Sequence, residues 1–470
     1  MNREPVATTP HEVAAFDAHA EPTTAGVERT AAWQESIRTL TAREISTMSR
    51  YYDRVLQYAP TAHDDGSLLD KIDAPVKQFL RAGEPLPDMR GEKDQRSIVL
   101  LNGSIHHDYD IEATFRGIRE KMGRGTRLVL VAYNPYQKLI QTTAHGWMQR
   151  PGNAPTTFVT LVQLGTLARL AGLQIVRARP AVFFPFGLGP VGRTINRLLN
   201  VSPGIQRFAA TWVLTLRSTH VEQERPSLSV VIPARNERGN IEDALRRLRD
   251  LNRSIDMEVI FVEGHSSDGT WEEIERVRAA YQPEFQIKAF RQSGVGKNDA
   301  VRLGFANASK QLLTILDADL TMPPELLHRF YDAYCAGMGD FINGDRLTYP
   351  MEGEAMRPLN HLGNIFFAKA LSNVLDAPLG DSLCGTKLLS ASDYRRIVRW
   401  RRDFGDFDPF GDFELLFPAA VLGLGIADIP IRYRDRQYGS TSISRFRHGA
   451  QLLKMTAIGL ARVKAGSDRT

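Results

Sequence analysis

The chain has 470 residues and almost no cysteine, only Cys335 and Cys384. Two thiols cannot build a disulfide framework, and no paired Cys/His metal spacing exists, so a reducing cytoplasm fits. Long apolar runs are missing too. None reaches the roughly 18 uninterrupted residues that a membrane span needs. FVTLVQLGTLARLAGLQIV comes nearest, and Arg169 and its glycines break it. The N-terminus MNREPVATTPHEVAAFDAHAEPTTAG lacks the apolar core of a signal peptide, which argues against export. There is no Lys/Arg block, and 59 basic residues against 54 acidic ones leave a net charge of only +5. Nucleic acid is therefore not an expected partner. The expected location is the cytoplasm, free or peripheral at the inner face of the membrane.

What is present points to two α/β domains, since 470 residues is long for one. The polar stretch 217–227 separates the apolar segments TWVLTL and SLSVVIP. Strand-like and helix-like segments alternate on both sides, as in layered α/β folds with parallel sheet. We read 1–39 as a disordered tail, 40–221 as a first domain and 222–470 as a second. In the second, LSVVIP and MEVIFVEG are buried strands. Ile241, Leu245, Leu248 and Leu251 share one helix face, with Asn240 as its cap. Then comes LLTILDADLTMPPELL, where Pro323 or Pro324 starts a helix that buries Leu327, Phe330, Tyr331 and Tyr334.

Asp317 and Asp319 leave that apolar strand at its C-terminal mouth, where open α/β sheets bind ligands. Residues i and i+2 of an extended segment point the same way, so the pair suits one hard cation, magnesium or manganese. DADLT also fits the D-x-D-x-T motif of haloacid-dehalogenase-type phosphatases, with Asp317 as nucleophile. The third reading is a turn and a helix cap.

Four stretches in order, SVVIPARNERGNIEDAL, EVIFVEGHSSDGTWEEI, SGVGKNDAVRLGF and LLTILDADLTMPPELL, resemble the sugar-nucleotide half of family 2 glycosyltransferases with the GT-A fold. The resemblance covers about 227–460. It implies that Pro233, Arg235, Asn236 and Glu237 lie along the nucleoside of a nucleotide-diphospho-sugar donor. Glu263 stands where the family has a base-gripping aspartate. Asp268 belongs to a D-G-T turn, and Lys297 lies in a glycine-flanked loop near phosphate. Asp317 and Asp319 would hold the metal.

Downstream, FINGDRLTYPMEGEAMRPLNHLGNIFF, GDSLCGTKLLSASDY and DPFGDFELLFPAAV look closest to the dolichyl-phosphate-mannose-synthase-like branch. That likeness implies that Arg346, Arg357, Arg436 and Ser440 meet phosphates of donor and acceptor, the last two in an R-x-Y-G-S-T-S loop. In members that glycosylate a hydroxyl, an acid in GDFELL is the general base; Asp412 matches best and Glu414 second. The acceptor is then a lipid phosphate or a glycan hydroxyl. The basic tail SRFRHGAQLLKMTAIGLARVKAG forms an amphipathic helix, docked on the domain or lying on an anionic membrane.

In the first half, SIVLLNGSIHHDYDIEATFRGIREKMGRGTRLVLVAYN resembles the later part of a class I S-adenosylmethionine-dependent methyltransferase. Ile111, Phe115, Ile118 and Met122 form one helix stripe. The cofactor loop needs closely spaced glycines after a first strand. Residues 51–96 offer only Gly66, Gly83 and Gly91, and no clear first strand. S-adenosylmethionine is therefore not an expected cofactor. The adjacent His106 and His107 read as loop residues. The fold expected is an α/β GT-A domain preceded by a truncated Rossmann-like methyltransferase-type domain. A phosphohydrolase, a bifunctional methyltransferase/glycosyltransferase and a binding scaffold stay open as alternatives.

Overall fold

The computed structural model describes residues 24–60, 64–92, 94–135, 157–183, 189–202, 204–220, 225–350, 358–405, 411–436, 438 and 445–465. Two sheets follow one another along the chain. The first has strands β1 (Arg54–Tyr58), β2 (Lys77–Leu80), β3 (Ser97–Asn102), β4 (Thr126–Tyr133), β5 (Leu173–Val182) and β6 (Thr211–Ser218), in the order β2-β1-β3-β4-β6-β5. Strands β1 to β4 are parallel, and β6 runs antiparallel between β4 and β5. The apolar runs of β3 and β4 are buried throughout, as parallel strands covered on both faces should be.

Two expectations for this half need correction. A first strand does exist. β1 is short, and its polar Gln57 hides it from an apolar pattern; Gln57 is fully buried because its amide donates to Asp64 at 2.6 Å. The tail expected over 1–39 is also too long. A helix spans Thr24–Ser49 and buries Ala42, Ile45 and Met48. Its apolar positions are spread thinly among threonines, arginines and glutamates, so no stripe stands out. Residues 1–23 lie outside the described part. Helix Ile111–Arg119 buries Ile111, Phe115 and Ile118, and Asp110 caps it by accepting from Ala113 N–H at 3.0 Å. His106 is fully buried. Its Nε2 accepts from Tyr133 N–H and its Nδ1 faces Thr157 C=O, each at 2.8 Å, so the proton sits on Nδ1 and the ring is a structural link.

The second sheet holds β7 (Leu228–Ala234), β8 (Met257–Glu263), β9 (Gln286–Arg291), β10 (Leu312–Ile315), β11 (Phe341–Asp345), β12 (Lys387–Ser390) and β13 (Ile426–Pro430), in the order β13-β11-β12-β10-β7-β8-β9. β12 is antiparallel to both neighbours. From β7 the order runs to β8 and β9 on one side and to β10 on the other. The crevice beyond the C-terminal ends of β7 and β10 is thus the switch point where such sheets take ligands. Helix Ile241–Ser254 buries the expected face, but Asn240 is not its side-chain cap, because its amide donates to Glu237 instead.

Buried arginines join the two halves. Arg127 on β4 pairs with Asp340 at 2.6 Å and donates to Gly423 C=O at 2.6 Å. Arg217 on β6 donates to Gly337 C=O and Met338 C=O, each at 2.7 Å, and Arg124 to Tyr334 C=O at 2.7 Å. These carbonyls close helix Leu327–Cys335, so two guanidinium groups satisfy its negative end. Arg179 pairs with Glu44 and with Asp376. Tyr52 hydroxyl donates to Leu422 C=O at 2.7 Å.

Burial alone would raise the Asp340 carboxyl, but Arg127, Arg217 and Arg124 hold it below the usual carboxylate range. A depressed folded value adds stability that is full at neutral pH and is lost as pH falls through that value. Removing one partner of such a pair strands a buried charge. Arg127→Ala should therefore cost about 3–5 kcal/mol in urea unfolding at neutral pH. A loss below about 1 kcal/mol would show that the pair does not hold the halves together.

Candidate active site

The chain leaves β7 through Arg235, Asn236 and Glu237. Asn236 adopts φ +56°, a left-handed conformation that asparagine tolerates. Its N–H donates to Ser266 Oγ at 3.0 Å and its Oδ1 accepts from Ser267 N–H at 2.9 Å. Pro233 and Ala234 pair with Val262 and Glu263 in the sheet. Glu263 is buried at the end of β8, and its Oε1 accepts from Ser266 N–H at 2.5 Å. Asp268 accepts from Thr270 N–H at 3.0 Å and Arg238 N–H at 3.2 Å, tying the two loops together. Burial would raise its carboxyl, yet these donors lower it. Tyr438 hydroxyl reaches the same carboxylate at 3.3 Å.

The opposite wall is the turn after β10. Leu320 takes φ +53°, and its N–H returns to Asp317 C=O at 3.1 Å, which brings Asp317 and Asp319 into one tight turn. Lys297 opens helix Lys297–Ala306 and sits 2.5 Å from Asp317 Oδ1. Burial opposes the charge on both groups, but their attraction wins. Asp317 is pulled down by Lys297, Lys387 and Arg346, and Lys297 is pushed up by Asp317, Asp412 and Asp319. Asp319 Oδ1 accepts from Thr321 Oγ1 at 2.8 Å, and Asp319 Oδ2 from Arg436 at 2.6 Å. Arg436 also reaches Glu237 Oε1 at 3.2 Å. Burial pushes the Glu237 carboxyl up to about 7, against the pull of Asn240 and Arg436.

A third group of side chains completes the mouth. Asp412 begins helix Asp412–Val421, and its Oδ1 pairs with the fully buried Lys387 at 2.6 Å. It lines a small pocket with Lys297, Asn298, Gly385 and Tyr394. A methyl group on Gly385 would collide with Lys297 Nζ and Asp317 Oδ2, so that ion pair would have to shift.

Glu414, expected as a second base, is corrected. Its carboxylate is 3% exposed and accepts from Asn298 at 2.7 Å, from Arg302 Nε at 2.9 Å and from Arg401. Those donors hold its oxygens, so it anchors helices rather than taking a proton. Arg346 is likewise committed. Its Nε and Nη2 form a fork onto Asp381 at 2.6 and 3.0 Å, so it is not a free phosphate ligand. Arg357 and Ser440 lie outside the described residues. Cys384 packs against Gly344, and burial pushes its thiol up to about 12, which leaves it inert.

A family model described as Glycosyl transferase family 2 matches residues 229–398. The dolichyl-phosphate hexose transferase of Haloferax volcanii is 32% identical over 233 residues, 48% of this chain and 91% of that protein. The chain belongs to glycosyltransferase family 2. This glycosyltransferase is also 33% identical over 119 residues to the dolichol-phosphate mannosyltransferase of Pyrococcus furiosus, 25% of this chain and 33% of that one. It is 30% identical over 229 residues to the undecaprenyl-phosphate 4-deoxy-4-formamido-L-arabinose transferase of Erwinia tasmaniensis, 47% and 65% of the two chains. The solved glucosyl-3-phosphoglycerate synthase of Mycobacterium tuberculosis with manganese and UDP overlaps 51% of this chain and 80% of its own, at 19% identity and TM-score 0.35. A likeness that loose says nothing about chemistry. Family membership favours the transferase over the phosphohydrolase that DADLT left open.

Reading the sequence missed the partners of the carboxylates. Asn298 and Arg302, four apart on one helix face, share a partner in Glu414, but nothing in their local sequence names it. Lys387 gave no signal either, since its partner lies 25 residues on.

Two outcomes follow from this geometry. Glu237 holds its proton to about pH 7 when folded and to about 4.5 when unfolded, so the protein should lose stability as pH rises through that window. Glu237→Gln should flatten that fall in melting temperature against pH. Gly385→Ala should weaken manganese-dependent nucleotide binding, read by calorimetry, by at least about tenfold. Unchanged binding would mean that Lys297 and Asp317 need not stay together.

Proposed function

We infer that the second half transfers a hexosyl group from a nucleotide-diphosphate sugar to a polyprenyl phosphate, with inversion at the anomeric carbon. The observation that carries this acceptor is the Lys387–Asp412 pair. Asp412 Oδ1 is already engaged by a buried lysine, and a phosphate acceptor, already ionised, needs no base. The relatives named for dolichyl or undecaprenyl phosphate support the same choice.

Asn236, Glu237, Glu263 and Asp268 shape the nucleoside side of the crevice, with Pro233 and Arg235 at its edge. Asp317 and Asp319 offer only hard carboxylate oxygens, a donor set that fits magnesium or manganese. Each already faces a cationic side chain, so the turn is built to hold positive charge. Arg436 must leave Asp319 Oδ2 for that oxygen to serve as a ligand. When bound, the divalent ion supplies charge that neutralises the diphosphate leaving group. Lys297 holds Asp317 ionised, Thr321 orients Asp319, and Gly385 lets its loop lie close to Lys297 and Asp317. The incoming phosphate oxygen attacks the anomeric carbon as the diphosphate leaves from the opposite face, which gives inversion in one displacement.

Residues 40–221 we read as a methyltransferase-type domain that has lost its cofactor loop. In the first sheet the order reverses between β1 and β3. The mouth there is taken by Asp64, which accepts from Gln57, Asn102 and Gly66 N–H. We read the protein as cytoplasmic, free or peripheral at the inner face of the membrane. Among the described residues no helix is long and apolar enough to cross it. Leu362, Phe366 and Leu453 are exposed on two adjacent helices. The basic C-terminal helix is otherwise docked, burying Leu452 and Met455.

Asp319→Asn should remove the stabilisation that UDP, GDP or dTDP gives with manganese in a thermal-shift screen. If no nucleotide stabilises the unaltered chain, the transferase site is misread. Asp412→Asn should lower the rate on a polyprenyl phosphate by less than about tenfold, whereas loss of a general base costs about 100-fold or more. S-adenosylmethionine should show no micromolar binding by calorimetry.

A further inference from the structure

Helix Ala391–Phe404 is one route by which the first half of the chain reaches the transferase site. Ser390 caps it by accepting from Asp393 N–H at 3.0 Å. Arg96, just before β3, closes over that end. Its Nε donates to Asp393 Oδ1 at 3.3 Å and its Nη2 to Ser392 Oγ. Farther along, Tyr51 C=O accepts from Arg396 and Arg399, each at 3.2 Å. Tyr51 hydroxyl donates to Asp403 at 2.6 Å. Tyr51 is buried in the same apolar core as Phe305, Trp400 and Phe413.

The helix also contacts the candidate active site. Tyr394 meets Phe305 edge to face, with ring centroids 4.8 Å apart, and lines the pocket of Asp412. Arg401 pairs with Glu414. Glu414 in turn binds Asn298 and Arg302 of helix Lys297–Ala306, whose first residue pairs with Asp317. Packed rings and charged hydrogen bonds thus run without a break from Arg96 and Tyr51 to the metal-site aspartate.

We propose that Arg96 and Tyr51 are positioning residues for the donor site: the first half braces helix Ala391–Phe404 and thereby sets Lys297 against Asp317. The first half is then part of the transferase machinery although it touches no substrate. If the helix shifts, Glu414 loses Arg401, and helix Lys297–Ala306 keeps its anchor only in part. Ligand-holding groups are as exact as the shell that orients them. The catalytic consequence rests on reading Asp317 and Asp319 as the donor-site carboxylates; the mechanical consequence does not.

The test uses the full chain with Tyr51→Phe, Arg96→Ala and, as control, Arg124→Ala. Arg124 also bridges the halves, but onto helix Leu327–Cys335. Amide hydrogen exchange over 297–306 without ligand should quicken by at least about threefold in the first two and stay unchanged in the control. Equal exchange in all three overturns the proposal. If Arg96→Ala does not fold, Tyr51→Phe, which deletes one hydroxyl, decides alone. Manganese-dependent affinity for UDP or GDP should fall at least about threefold in the same two variants. If the unaltered chain binds nucleotide and these variants bind as tightly as the control, the positioning role is overturned. If the unaltered chain binds none while exchange still quickens, the brace stands and the donor-site reading falls.

Discussion

A carboxylate taken out of water must be met by a cation or by several donors, and this fold is organised around that demand. Asp340 meets Arg127, Asp376 meets Arg179 and Lys464, and Asp381 meets Arg346. At the crevice Asp317 meets Lys297, and Asp412 meets Lys387. The pairs between the sheets fix how the two halves sit. Those at the crevice fix where the loops stand. Helix Ala391–Phe404 joins the two regions, since its Asp393 meets Arg96 of the first half and its Arg401 meets Glu414 beside the crevice.

Motifs that follow one strand into one turn were legible in the sequence. Asp317 and Asp319 after β10, Asn236 and Glu237 after β7, and the buried face of helix Ile241–Ser254 all lie in local patterns whose period shows without a structure. Partners far apart in sequence were not legible. Arg127 and Asp340 are 213 residues apart, and each taken alone looks like a solvated surface charge. Glu414 resembled a base for the same reason, since two of its three donors come from another helix more than a hundred residues earlier. β1 escaped notice because Gln57 is polar, and only the fold shows Asp64 waiting for its amide. Five residues with a polar one inside do not announce a strand.

Of the expected site residues, the nucleoside loop and the metal turn come together at the switch point. Asp412 lies close enough to Lys297 to share a pocket with it. Arg346 and Glu414 stand near but are fully engaged. The mouth therefore has an acidic turn flanked by lysines and arginines, the arrangement from which the proposed diphosphate donor and anionic acceptor were read.

Arg436 spans Asp319 and Glu237, and so occupies an oxygen that the proposed metal would use. A cation that claims the Asp319 oxygen arrives as a replacement, and net charge at the turn rises by less than the ion's own. The displaced guanidinium then seeks an anion, and a diphosphate accompanying the ion supplies one. In the proposed site cation and nucleotide would then be linked ligands, each strengthening the other by the same factor. A site of this kind admits the pair far more readily than either member alone.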